Sequence, residues 1–267
     1  MWKTGIQITL PSDYQTNCLW SEQLSFLKEI GIDHLELNVL NLEKTDAIQL
    51  IGFCDKFDLK IKKIATGATA RAEGLSLCCG DENLRTKTVE RCRQFIEFAS
   101  ETGSDVIFGS IKGLENIPKK QATSNLEESL NKISGTLVNS KVRVYIEAIN
   151  RYETTAVNTV SEGFECIHSL NFHENFNVLP DTYHINIEED NYFAPLVKYA
   201  GLIDTIHLSD SNRYFPGYGN FDFVTFFKFL RAINYTGTLT LEANIKESLA
   251  QDVKKSMAFL NGLFNNI

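Results

Sequence analysis

At 267 residues the chain has the length of one large domain or two small ones, and its 43% hydrophobic content can bury a sizeable core. A formal charge of −8, with no Lys/Arg stripe interleaved with aromatics, argues against a nucleic-acid partner. No apolar run approaches the ~18 residues of a membrane span, and "MWKTGIQITL" is too short and polar for a signal peptide. Six cysteines without CxxC spacing, with Cys78 and Cys79 adjacent, suit reduced thiols, so the expectation is a soluble cytoplasmic protein that does not engage a membrane.

In chain order, β-rich runs alternate with longer helical patterns. The predicted strands are "TGIQITL" (4–10), "HLELNVL" (34–40), "IKKIATG" (61–67), "DVIFGSI" (105–111), "RVYIEAI" (143–149), "FNVLP" (176–180), "IDTIHLS" (203–209) and "GTLTLEA" (237–243). Among the stretches between them, 84–103 carries Val89, Cys92, Phe95, Ile96 and Ala99 at helical spacing, with Gly103 where a C-cap belongs. Eight strand–helix units of roughly 33 residues are what an α/β (β/α)8 TIM barrel requires, here a single domain over 1–267. A doubly wound open sheet competes, but no GxGxxG follows the first strand.

Alternation along the strands says which way the side chains point. Val142, Val144, Ile146 and Ala148 share one face, and Arg143, Tyr145 and Glu147 the other; Leu239, Leu241 and Ala243 likewise oppose Thr238, Thr240, Glu242 and Asn244. With the apolar face against the helices, the interior is polar, increasingly so toward the C-terminal strand ends, where barrel active sites lie.

Glu147, Asp181, His207 and Glu242 stand at or near the ends of the last four strands, with successive gaps of 34, 26 and 35 residues, close to one unit each. Three carboxylates and one imidazole make a hard, oxygen-rich donor set suited to one divalent ion, Mn²⁺, Mg²⁺ or Co²⁺, with positions left for substrate oxygens. His34 begins a strand and so falls at the opposite end of the barrel, and His168 and His173 fall on or just after a helix, with surface roles expected. Glu36, Thr66 and Gly109 lie on strands whose tips are candidates to line the pocket. Trp20, Phe215 and Tyr218 are candidate aromatic walls, for which packing is the commoner role.

The segments "EAINRYET" (147–154), "DTYHINIEE" (181–189), "HLSDSNRYFPGYGNFDF" (207–223) and "LEAN" (241–244), with "LCCGDENLRTKTVERCRQFIEFASETG" in the middle of the chain, carry a resemblance. In order and spacing they resemble the sugar isomerase/epimerase barrels related to xylose isomerase, nearest to the ketose 3-epimerases acting on D-tagatose and D-psicose. The resemblance implies that Glu147, Asp181, His207 and Glu242 hold a metal, Mn²⁺ by preference, and that Glu147 and Glu242 are also the acid/base pair. It implies that Glu153, His184 and Arg213 hold the ketose, with His184 and Arg213 on the O2 side and Glu153 at the C1 end. His184 has a second reading, as a residue that orients Asp181.

The implied reaction is metal-dependent epimerisation of a ketose at C3 through a cis-enediolate, by a homodimer or homotetramer. Two departures are visible: Ala148 replaces the family's usual proline, and Asn220 stands where histidine is common. An aldose–ketose or inosose-type isomerase, or an epimerase of a keto-acid sugar such as 5-keto-gluconate, remains the alternative on the same scaffold. The Pro216-Gly217 turn is expected to fold across the pocket mouth. Apurinic-site nucleases share the barrel but use three zinc ions and more histidines than the five present here.

Overall fold

The computed structural model describes residues 2–138 and 140–266. Its first half runs β1 (Thr4–Thr9), α1 (Cys18–Glu29), β2 (His34–Asn38), α2 (Ala47–Asp55), β3 (Lys60–Ala65), α3 (Gly67–Glu73), α4 (Glu82–Thr102), β4 (Asp105–Phe108) and α5 (Lys119–Leu137). Then follow β5 (Val144–Glu147), α6 (Val160–His168), β6 (Phe176–Leu179), α7 (Thr182–Glu188), α8 (Phe193–Lys198), β7 (Thr205–Leu208), α9 (Phe223–Ala232), β8 (Thr238–Leu241) and α10 (Leu249–Asn266). Short 3₁₀ turns occupy Leu42–Lys44 and Ser110–Lys112. Each of the eight predicted strands is present and shorter than expected, with β3 starting one residue earlier, at Lys60.

The strands pair in parallel in the order β6-β5-β4-β3-β2-β1-β8-β7. Between β6 and β7 the ring is joined by a single bridge, Asp181 with His207, and the His207 N–H donates to the Pro180 carbonyl at 2.9 Å. Two of the four candidate ligands therefore sit at the seam where the barrel closes. The architecture is a (β/α)8 barrel with its helices outside.

α4 shows how local sequence sets an element. Asp81 caps it by accepting from the backbone N–H groups of Asn83 and Leu84, and Gly103 ends it at φ 66, a conformation that glycine adopts without strain. The apolar stripe from Val89 to Ala99 is buried against the barrel.

Strand alternation divides the core in two. Val144, Ile146, Leu239 and Leu241 have no exposure and face the helices. Inside the ring the apolar content shrinks to a patch of Ala65, Ile107, Tyr145 and Leu179. The rest of the described interior is polar, with a buried ion pair at its centre. Lys63 Nζ donates to Glu36 Oε1 at 2.9 Å and to Thr205 Oγ1 at 3.2 Å, and Thr240 Oγ1 lies 3.0 Å from the same Glu36 oxygen. Buried charge of this kind is tolerable only when paired and hydrogen-bonded, as it is here.

Candidate active site

A cleft of about 790 Å³ opens at the C-terminal strand ends, within the range that encloses a small ligand. Glu147 ends β5, Asp181 caps α7, His207 lies in β7 and Glu242 follows β8. One ligand atom from each falls within 4.8 Å of the other three. A span of that size closes on a single ion with bonds of ~2.2 Å after small side-chain shifts. Glu147 Oε1 is buried with no hydrogen-bond partner, as expected of an atom reserved for a ligand. The donor set and this orphaned oxygen fit a hard divalent cation.

Each candidate ligand is held from behind. His207 places Nε2 2.7 Å from Glu36 Oε2, which leaves Nδ1 facing Glu242 Oε2 at 2.9 Å and Glu147 Oε1 at 3.6 Å. Gln7 Nε2 donates to the other Glu242 oxygen at 2.6 Å. Asp181 accepts the Tyr183 N–H through Oδ1 at 2.7 Å and faces Arg213 Nη1 through Oδ2 at 2.5 Å. Lys112, wholly buried, donates to the Glu147 carbonyl at 2.5 Å. A Cβ at Gly109 would stand 2.4 Å from Glu147 Oε2, so the carboxylate occupies space that only glycine leaves.

The two glutamates are electrostatically unlike. Burial pushes the Glu147 carboxyl up to about 7, and the Glu242 charge adds to it. Burial acts on Glu242 in the same direction, but Arg213 and His207 hold it well below the ordinary carboxylate range. For His207, burial favours the neutral ring, yet the carboxylates of Glu36 and Glu242 raise it well above its usual value. His184 is the opposite case: burial, reinforced by the Arg213 charge, keeps it neutral.

His184 is 1% exposed, and Asn150 fixes its tautomer. The Asn150 Nδ2 and backbone N–H lie 2.8 and 3.3 Å from His184 Nδ1, so Nδ1 accepts and Nε2 carries the proton. That Nε2 lies 3.9 Å from Glu147 Oε1, which places His184 beside Glu147. Arg213, in the left-handed region at φ 63, bridges Asp181 and Glu242, the latter at 3.0 Å. Glu153 is exposed on the rim, its Oε1 accepting from Asn150 at 2.8 Å.

Other expectations fare unevenly. Glu36 stands behind His207 without reaching the cleft, and Thr66 is spent on the Ile107 carbonyl at 2.7 Å. Trp20 lies buried in α1 and Phe215 is packed in the core, while Tyr218 bonds Asp252 at 2.8 Å; none of the three lines the cleft, which has Tyr183 as its aromatic. The Pro216-Gly217 turn rests against Phe259 of α10, and neither residue lines the cleft, correcting the idea of a cover. His34 lies inside the barrel near the N-terminal strand ends, and His168 and His173 are exposed. Asn150, Lys112 and the Glu36–Lys63 pair escaped sequence reasoning. No helix among the described residues is long and apolar enough to cross a membrane.

Comparison with known proteins agrees with this fold. A family profile described as xylose isomerase-like TIM barrel matches residues 24–263. The chain is 27% identical over 252 residues to the 3-dehydro-D-guloside 4-epimerase of Escherichia coli (strain K12), covering 90% of this chain and 93% of that protein. It is 26% identical over 249 residues to an L-ribulose 3-epimerase of Mesorhizobium japonicum, covering 90% and 81%. A solved L-ribulose 3-epimerase superposes with a TM-score of 0.82 at 23% identity, over 98% of this chain and 94% of that one, a likeness of fold.

Proposed function

The chain belongs to the xylose isomerase-like TIM barrel family, and from that premise we propose that it is a metal-dependent sugar epimerase inverting the carbon beside the carbonyl of a keto-sugar, C3 in a 2-ketose. Its full-length relatives bear epimerase names, which supports the reaction class. The observation that carries the reading is the convergence of two carboxylates, buried Glu147 and half-buried Glu242, on one site with Asp181 and His207. Both glutamates lie on one cleft, 3.6 and 2.9 Å from the same His207 nitrogen.

Glu147, Asp181, His207 Nδ1 and Glu242 would hold one divalent ion, Mn²⁺ ahead of Mg²⁺ or Co²⁺. When bound, the ion supplies Lewis-acid stabilisation of the negative charge on the enediolate oxygens. Removing a proton beside a carbonyl needs a base held ionised, and Glu242 meets that need. Glu147, on the same cleft, would return a proton to the other face, and the roles exchange in the reverse direction. Neutral His184 donates Nε2–H to a substrate oxygen, and Arg213 adds positive charge on the O2 side. Glu153 at the rim accepts from the C1 hydroxyl.

The test is incubation of the Mn²⁺-loaded protein with a panel of keto-sugars in D₂O, followed by NMR. Deuterium at C3 of a 2-ketose, with both C3 epimers present, supports the reading. An aldose product with C3 intact would assign the protein to aldose–ketose isomerisation instead. Exchange at C4 of a 3-keto-glycoside would favour the second reading, which the E. coli relative at 27% identity over 90% of the chain suggests. Activity indifferent to chelation would remove the metal from the mechanism.

A further inference from the structure

The cleft has two unlike arcs. The ends of β5 to β8 carry the carboxylates and His207, while the facing arc, from β2 to β4, brings Asn38, Arg71 and Ser110 to the same space. Asn38 is 8% exposed, and its Oδ1 accepts the Ala68 N–H at 3.2 Å. That bond orients the amide and leaves its NH₂ without a protein acceptor among the described residues. Arg71 donates Nη1 to Ser110 Oγ at 3.3 Å, and no carboxylate among the described residues lies within ion-pair reach of it. Arg213, across the cleft, is by contrast closed by Asp181 and Glu242. Ser110, having accepted from Arg71, keeps its own hydroxyl proton to give.

This arc therefore offers donors and keeps no carboxylate acceptor free. A sugar hydroxyl carries a proton that needs an acceptor, whereas an anion only accepts. The planar guanidinium fork matches carboxylate and phosphate oxygens in particular. Glu153 stands on the β5 side, so a negative group is repelled from that end and drawn to this one.

Resting on the epimerase reading, we propose that Asn38, Arg71 and Ser110 form a subsite for an anionic group, carboxylate or phosphate, on the carbon of the keto-sugar farthest from its carbonyl. The protein then acts on sugar acids or sugar phosphates in preference to neutral ketoses.

The experiment takes matched sets of D-2-ketohexoses, their 6-phosphates and the corresponding 6-carboxylates, titrated calorimetrically into the Mn²⁺-loaded full chain and its Arg71→Ala and Arg71→Lys variants. One anionic series should bind the wild type at least about tenfold tighter than the neutral sugars, as a charge-assisted pair requires. Arg71→Ala should abolish that ratio and Arg71→Lys should restore part of it. The series that gains tells phosphate from carboxylate. Equal affinity for neutral and anionic sugars, or a preference that survives Arg71→Ala, overturns the subsite. Deuterium exchange in the same samples reads the epimerase assignment separately: exchange without anion preference sinks only the subsite, and anion preference without exchange sinks only the reaction.

Discussion

Glu36 and His207, 171 residues apart in the chain, brace each other inside the barrel: Oε2 of Glu36 lies 2.7 Å from Nε2 of His207, and neither side chain is exposed. The bond commits Nε2 to donating and leaves Nδ1 to ligate. Glu36→Gln is expected to lower Mn²⁺ affinity about 10–100-fold, the usual cost of losing a carboxylate behind a ligating histidine. It also leaves the Lys63 ammonium without its carboxylate, so thermal stability should fall. The double variant Glu36→Gln/Lys63→Met should regain melting temperature without regaining metal affinity. Unchanged affinity in both variants, read by calorimetry, would remove the bracing role.

Gly109 gives a second prediction. A Cβ on any other residue at this position would stand 2.4 Å from Glu147 Oε2 and 3.3 Å from Ile149 Cδ1. Because the carboxylate is the end of a flexible side chain, Gly109→Ala should fold with little change in melting temperature while displacing Glu147. A misplacement of this kind costs on the order of 100-fold in kcat. A variant that keeps wild-type kcat would show that Glu147 does not need its present position.

Asn150 yields a third. Its two donors force His184 Nδ1 to accept, so Nε2–H faces the cleft. Asn150→Asp replaces the amide donor with an acceptor and favours the other tautomer, turning a lone pair toward the substrate. We expect kcat to fall on the order of 100-fold or more, as wrong-tautomer histidines do. Nitrogen-15 chemical shifts of His184 should report the exchange of tautomers. Lost activity without a change in those shifts would point to Glu153, which Asn150 also holds, as the group disturbed.

The barrel and the four side chains that converge in it were legible because each depends on short-range signals: alternation within a strand and one candidate ligand per repeat. The groups that brace them were not. Lys63 sits in "KIKKIA", which reads as a strand with solvated lysines. A register shift at Leu35/Glu36 pairs Glu36 with Lys63 and skips Lys62, which is why one lysine is exposed and its neighbour buried. No local pattern announces such a bulge. Lys112 is similar: a lysine in a short turn after β4 looks solvated until β5 is laid beside it. Trp20 and Phe215 serve the core between helices and strands, the commoner role of such aromatics, and not the pocket wall.

His34 supplies a pH dependence of stability. Its ring is 1% exposed and lies across Gly5, with Nε2 3.3 Å from Thr240 Oγ1 and Nδ1 unpartnered. Burial lowers its pKa from 6.5 to about 4; Glu36 and Asp33 oppose the shift, and Lys63 and Lys62 reinforce it. Between those two values the unfolded chain binds a proton that the folded chain refuses, so stability rises with pH and is lost on acidification. The interval from 6.5 to about 4 corresponds to about 3 kcal/mol, complete by the lower end. Carboxylates titrate in the same range, so the contribution is read as a difference between proteins: urea melts of wild type and His34→Gln from pH 7.5 to 4.5. His34→Gln should be the less stable of the two at pH 7.5, having lost the ring's packing against Gly5, and the gap should narrow by about 2–3 kcal/mol on acidification. A gap constant across that range would mean that His34 takes up its proton without cost to the fold.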